Sequence, residues 1–186
     1  TDEVAALVYG TRNEISQVYQ LAKANGEYQS MITLTINHNR NESLLYNVNL
    51  LNEGWNSLRN DRQYKELMSK TVESSWSLRT IEVTYGKKSG WHPHFHILLS
   101  GHNPVSRQIG YLKERITEIW TRVISRIRNR DIITESNTFD RWSNEKTVVV
   151  SEVNDLVADY FVKWSMKDEL TTGLSAKGAK NGNWSI

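Results

Sequence analysis

Four of the five histidines in the chain fall between positions 92 and 102, and His92, His94 and His96 stand at alternate positions. Imidazole nitrogens ligate divalent ions, and alternate residues of a β-strand project from one face. In a strand, His94 and His96 would lie about 6.5–7 Å apart at Cα, close enough for two rings to meet on one ion. Phe95 and Ile97 would then point into a core and leave the histidines on an open face. A third ligand has to come from the neighbouring strand. Residues 76–85 and 93–99 flank Gly86-Lys87-Lys88-Ser89-Gly90, and this pattern predicts a hairpin. Folding about Lys88 or Ser89 sets Glu82 opposite His94 or His96. Glu82 sits between Ile81 and Val83, where an unpaired charge is costly. His92 is the rival third ligand, although Pro93 interrupts regular strand geometry beside it. Two imidazoles and a carboxylate with open positions suit Mn²⁺ or Mg²⁺, while imidazole also accepts Zn²⁺, Co²⁺, Ni²⁺ or Fe²⁺. The plainer alternative is a set of polar residues on a solvated strand face.

Asp159-Tyr160-Phe161-Val162-Lys163 places Lys163 one helical turn from Tyr160. A phenol, with a pKa of about 10, is a weak nucleophile until its charge is stabilised. A metal and an ammonium group both do so, and both draw negative charge from a phosphate. Against this, Leu156, Tyr160 and Trp164 form an apolar stripe, and such a tyrosine is ordinarily core. Lys87 and Lys88 at the hairpin tip, with Trp91 beside them, are candidate nucleic-acid contacts. So are Arg122 and Arg126. From Gly101 to Arg130 seven Lys/Arg face two Glu, a local +5 hidden in a formal total of +2, and the next thirty residues carry −5. That basic helix can track a phosphate backbone, or it is simply a solvated helix face.

The elements that must position these groups follow from hydrophobic spacing. A helix is predicted from Glu3 to Ala24, a strand from Met31 to Asn37 with Ile32, Leu34 and Ile36 on one face, and a helix from Leu44 to Leu58 behind Ser43 as its cap. Ile109 to Ile127 predicts a second long helix, Thr147 to Val150 a strand, and Asn154 caps a last helix reaching Trp164. A further short strand is expected near Ile132 and Ile133. The Gly/Ser/Lys-rich tail reads as mobile, which divides the chain into a domain over 1–171 and a tail over 172–186. The order α-β-α-β-β-α-β-α implies an α+β fold, a mostly antiparallel sheet of four to five strands covered by helices. A length of 186 residues with 38% hydrophobic and 24% charged residues suits one folded domain rather than a disordered chain. No apolar run approaches the ~18–20 residues of a membrane span. The absence of cysteine excludes disulfides, thiolate metal sites and iron–sulfur clusters. Cytoplasmic location is the expectation, and the lack of an initiator Met fits a segment of a longer protein.

Gly90-Trp91-His92-Pro93-His94-Phe95-His96-Ile97-Leu98-Leu99, preceded by Ile81-Glu82-Val83-Thr84-Tyr85, resembles the second motif of the HUH endonucleases, the rolling-circle replication initiators of small bacterial plasmids. Met31-Ile32-Thr33-Leu34-Thr35-Ile36 resembles their first motif, and Tyr160-Phe161-Val162-Lys163 their third. The likeness covers Met31 to Lys167. It implies a ferredoxin- or RRM-like sheet, with His94, His96 and Glu82 as ligands of Mn²⁺ or Mg²⁺, Tyr160 as nucleophile and Lys163 as its helper. It also implies the reaction: nicking of a single-stranded or hairpin origin through a 5′-phosphotyrosyl link, with a host helicase and polymerase as partners. The chain departs from the pattern at Leu156 and Trp164, where related proteins place a Glu or a second tyrosine for termination. Three rivals are a single-strand transposase of the same superfamily, a non-heme iron oxygenase and a non-catalytic origin-binding regulator.

Overall fold

The computed structural model describes residues 17–132, 147–153 and 183–185. Within them the alternation of the sequence becomes a two-faced sheet. Its strands are β1 (Tyr28–Thr35), β2 (Ser74–Gly86), β3 (Gly90–Gly101), β4 (Val148–Glu152) and β5 (Asn183–Ser185). They lie in the order β4-β1-β3-β2-β5, and each neighbouring pair is antiparallel. Strand β3 slots between β1 and β2, which leaves β1 and β2 parallel but unpaired. That is the ferredoxin-like arrangement, α+β as expected.

The helices are α1 (17–24), α2 (Leu44–Asn60), α3 (Arg62–Thr71) and α4 (Ile109–Ile132), with a 3₁₀ turn at Val105–Gln108 ahead of α4. Ser43 caps α2 as predicted, its hydroxyl accepting the Tyr46 N–H at 3.1 Å. Asp61 both stops α2 and starts α3: its own N–H bonds Leu58 O, and its carboxylate accepts from the N–H groups of Gln63 and Tyr64 at 2.8 and 3.2 Å. The sequence reading assigns nothing to this stretch. Yet α3 buries Tyr64, Leu67, Met68 and Thr71 at helical spacing, and the Asp61 cap gives so short a helix its start.

The short strand expected near Ile132 is corrected, because α4 continues through Ile132. Its last turns are anchored from outside. Arg130 grips Glu53 at 2.5 and 2.9 Å, and buried Arg128 bonds the Asn37 carbonyl and reaches Glu42 at 3.3 Å. Ile133, the helix capped by Asn154 and residues 1–16 lie outside the described residues. Strand β5, inside the tail expected to be mobile, pairs with the hairpin end of β2.

Helices α2, α3 and α4 cover one face of the sheet. Their Leu51, Leu58, Leu67, Ile116, Ile119 and Trp120 share one core with Ile32, Leu34, Phe95 and Ile97. The Trp120 indole N–H donates to the Thr35 carbonyl at 2.8 Å, tying α4 to the end of β1. Where α2 meets α4, a Cβ on Gly54 would lie 2.6 Å from Ile124 Cδ1, so glycine sets the helix approach. Among the described residues no helix is long and apolar enough to cross a membrane.

Candidate metal centre

The hairpin folds about Lys88, with Glu82 paired to His94, Thr80 to His96 and Thr84 to His92. Gly90 makes that turn possible in two ways. Its φ of +81° is left-handed, and a Cβ there would lie 2.8 Å from the Arg40 carbonyl oxygen. The loop after β1 is therefore pressed against the hairpin, and it brings His38 with it.

Glu82, His94 and His96 converge on the sheet face opposite the helices. One Glu82 oxygen, Oε2, lies 2.6 Å from His94 Nε2 and 3.0 Å from His96 Nε2. The three ligating atoms all fall within 4.8 Å of one another. The group is less open than a solvated strand face, with side-chain exposures of 20% for Glu82, 14% for His94 and 5% for His96. Two residues on along the same face, Leu98 is buried as well. Burial pushes the Glu82 carboxyl up, but the hydrogen bonds and charges of His94 and His96 outweigh it and hold the pKa at about 2. The carboxylate is therefore ionised and available to a cation.

Two residues that sequence reasoning did not single out as functional support this group. Thr33, paired with His96 across β1 and β3, places its hydroxyl 3.1 Å from His96 Nδ1 and so orients the ring. His38 Nε2 meets His92 Nδ1 at 2.5 Å. His92 shares the face of His94, with ring centroids 5.6 Å apart, but it stands outside the convergent trio. Burial holds the His92 pKa down at about 4, helped by the charges of His38 and His94. Burial likewise lowers His38, with Arg128 adding to it and Glu42 opposing it. Strand alternation could have flagged Thr33. Nothing in the spacing points to His38.

The donor set fits a divalent ion. Two imidazole nitrogens and one carboxylate oxygen meet from two strands, and buried His94 Nδ1 has no partner among the described residues. Imidazole donors favour Mn²⁺ over Mg²⁺, which prefers an all-oxygen shell.

The remaining candidates fall in different places. Lys87 and Lys88 are exposed at the hairpin tip. Trp91 packs on Tyr85 at 4.8 Å, and by alternation both belong to the face of Phe95 rather than that of the histidines. Arg122 bonds Asp61 and Gln63, each at 2.8 Å, on the helical side of the sheet. Arg126 is an exposed residue of the same helix. Tyr160 and Lys163 lie outside the described residues.

In a comparison with known families, residues 9–163 fit the profile of a family described as replication protein. No curated protein and no solved structure matches the chain.

Proposed function

We propose, from the premise that the chain belongs to the replication protein family, that it nicks and rejoins single-stranded DNA at a rolling-circle origin and so initiates plasmid replication. The observation that carries this reading is the convergence of Glu82, His94 and His96 on one sheet face of a replication protein. A divalent ion held by these three, Mn²⁺ or Mg²⁺, would supply a Lewis acid that draws charge from a phosphate oxygen.

The chain's own residues do the rest. Glu82 contributes the negative charge that anchors the site, and Thr33 fixes the ring of His96. Tyr160 gives its phenolic proton to solvent and its oxygen bonds to phosphorus, while the bond from phosphorus to the 3′ oxygen breaks and that oxygen takes a proton from water. The products are a 5′-phosphotyrosyl link and a free 3′-OH that a host polymerase extends behind a helicase. Lys163, three residues on in the sequence, offsets the charge that develops at the phosphate. Lys87 and Lys88 meet the flanking backbone. Residues 1–171 form the catalytic domain in this reading.

The test uses labelled single-stranded origin-like oligonucleotides with Mn²⁺, followed by denaturing electrophoresis and peptide mapping. A covalent adduct on Tyr160 is expected, abolished by chelation and by Tyr160→Phe. An adduct that survives Tyr160→Phe means another nucleophile. Binding without any adduct means a DNA-binding regulator.

A further inference from the structure

We propose that His38 is a positioning residue that holds His92 so that its Nε2 hydrogen-bonds a backbone phosphate of single-stranded DNA lying across the metal centre. The inference rests on the reading of the chain as a DNA-processing protein and adds a contact separate from metal ligation.

His92 projects from the same face as His94, yet its ligating atoms are not part of the Glu82–His94–His96 group. Its Nδ1 is taken by His38 Nε2 at 2.5 Å, with the two rings at 71°. A ring fixed at one nitrogen has its other nitrogen fixed in direction. His92 Nε2 has no hydrogen-bond partner among the described residues, and His92 is only half-buried. A phosphate oxygen accepts hydrogen bonds, so this contact needs the His92 proton on Nε2. That tautomer leaves His92 Nδ1 to accept from His38 Nε2–H, the donor role in the pair that we assign to His38.

His38 is held more firmly than a loop histidine would need to be. The preceding residue's carbonyl bonds Arg128, a guanidinium only 4% exposed that also pairs with Glu42. Two residues after His38, the Arg40 backbone lies against Gly90. A buried ion pair is an expensive way to fix a loop, and fixing this one brings the imidazole to His92. The lysines at the hairpin tip supply a diffuse positive field, whereas the histidine supplies a directed donor beside the metal ligands.

The experiment uses the full chain carrying Tyr160→Phe, so that only binding is read. Anisotropy of a fluorescein-labelled, origin-like single strand is measured in EDTA and in Mn²⁺, alongside Mn²⁺ affinity by calorimetry. His92→Ala and His38→Ala each weaken DNA binding about tenfold. The double substitution is no weaker than His92→Ala alone, because the pair acts as one unit. His38→Gln keeps a side-chain donor and recovers most of the affinity, and Mn²⁺ affinity is unchanged throughout. DNA binding that stays at the parental level in His92→Ala or in a folded His38→Ala overturns the proposal, and so does a His38→Gln variant as weak as His38→Ala. So does a loss of Mn²⁺ affinity in His92→Ala, which makes His92 a ligand. If the parental chain binds no single strand at all, the functional reading itself has failed; if it binds and the variants match it, only the His38–His92 contact falls.

Discussion

Glu82 carries a charge between two apolar neighbours, and the two imidazoles across the hairpin make that placement tolerable. Because its folded pKa lies below the ordinary carboxyl value of 4.5, the stabilisation it contributes is complete above that pH and is lost as the pH falls through the folded value. The thermal stability of the metal-free chain should therefore fall below about pH 4.5, and Glu82→Gln should flatten that slope. His94→Ala and His96→Ala should each remove most Mn²⁺ binding in calorimetry. Their unfolding temperatures should differ, since His96 is 4% exposed and bonded to Thr33 while His94 is more accessible, so His96→Ala should be the less stable. Glu82 was legible because a hairpin about Lys88 fixes which residues sum to a partner. Thr33 lay on the correct face in the sequence pattern, but its bond depends on the β1–β3 register, which hydrophobic spacing leaves open. His38 stood outside any periodic element, so its partner is a matter of loop closure.

At the scale of elements, Asp61 shows how one side chain settles two helix boundaries. Burial raises its carboxyl pKa, but the N–H groups of Tyr64 and Gln63 and the Arg122 guanidinium outweigh that and lower it. Asp61→Ala should cost about 1–2 kcal/mol in urea unfolding, the usual range for a lost N-cap. The deficit should shrink as the pH falls below 3.8, where the carboxylate of the parent chain is progressively lost. Helix α3 escaped the sequence reading because it is short and largely polar on its outer face, and only its cap and four buried residues mark it. Gly54→Ala gains helix propensity but presses on Ile124 and Trp120, so a net loss of about 1–3 kcal/mol is expected. The hairpin was legible from both ends, its Gly-bounded basic turn and its two alternating strands. Replacing Lys87 and Lys88 together should lower the salt slope of single-strand binding by roughly one to two. The same measurement on Arg122 and Arg126 tests whether DNA reaches the helical side, where Arg122 is already committed to Asp61.

For the whole molecule, the α+β class and antiparallel sheet followed from the order of elements, but the assignment of faces did not. Spacing gives each strand two sides without saying which helix covers which. Trp91 is the instructive case: it neighbours His92 in sequence, and one step of a strand sends it to the other side of the sheet. Between His92 and Ile97 that division is strict, with Phe95 and Ile97 in the core and the three histidines on the far side. Inheritance of change in this strand is therefore sorted by parity. Libraries randomised there should separate under two selections, odd positions failing mainly when cells are grown hot and His92 and His94 failing mainly when replication is demanded, with buried His96 sensitive to both. A single inserted residue would exchange the two classes at once, delivering imidazoles to the oily side and a phenyl ring to the candidate metal site. Substitution can explore this strand one role at a time, but a change of length cannot.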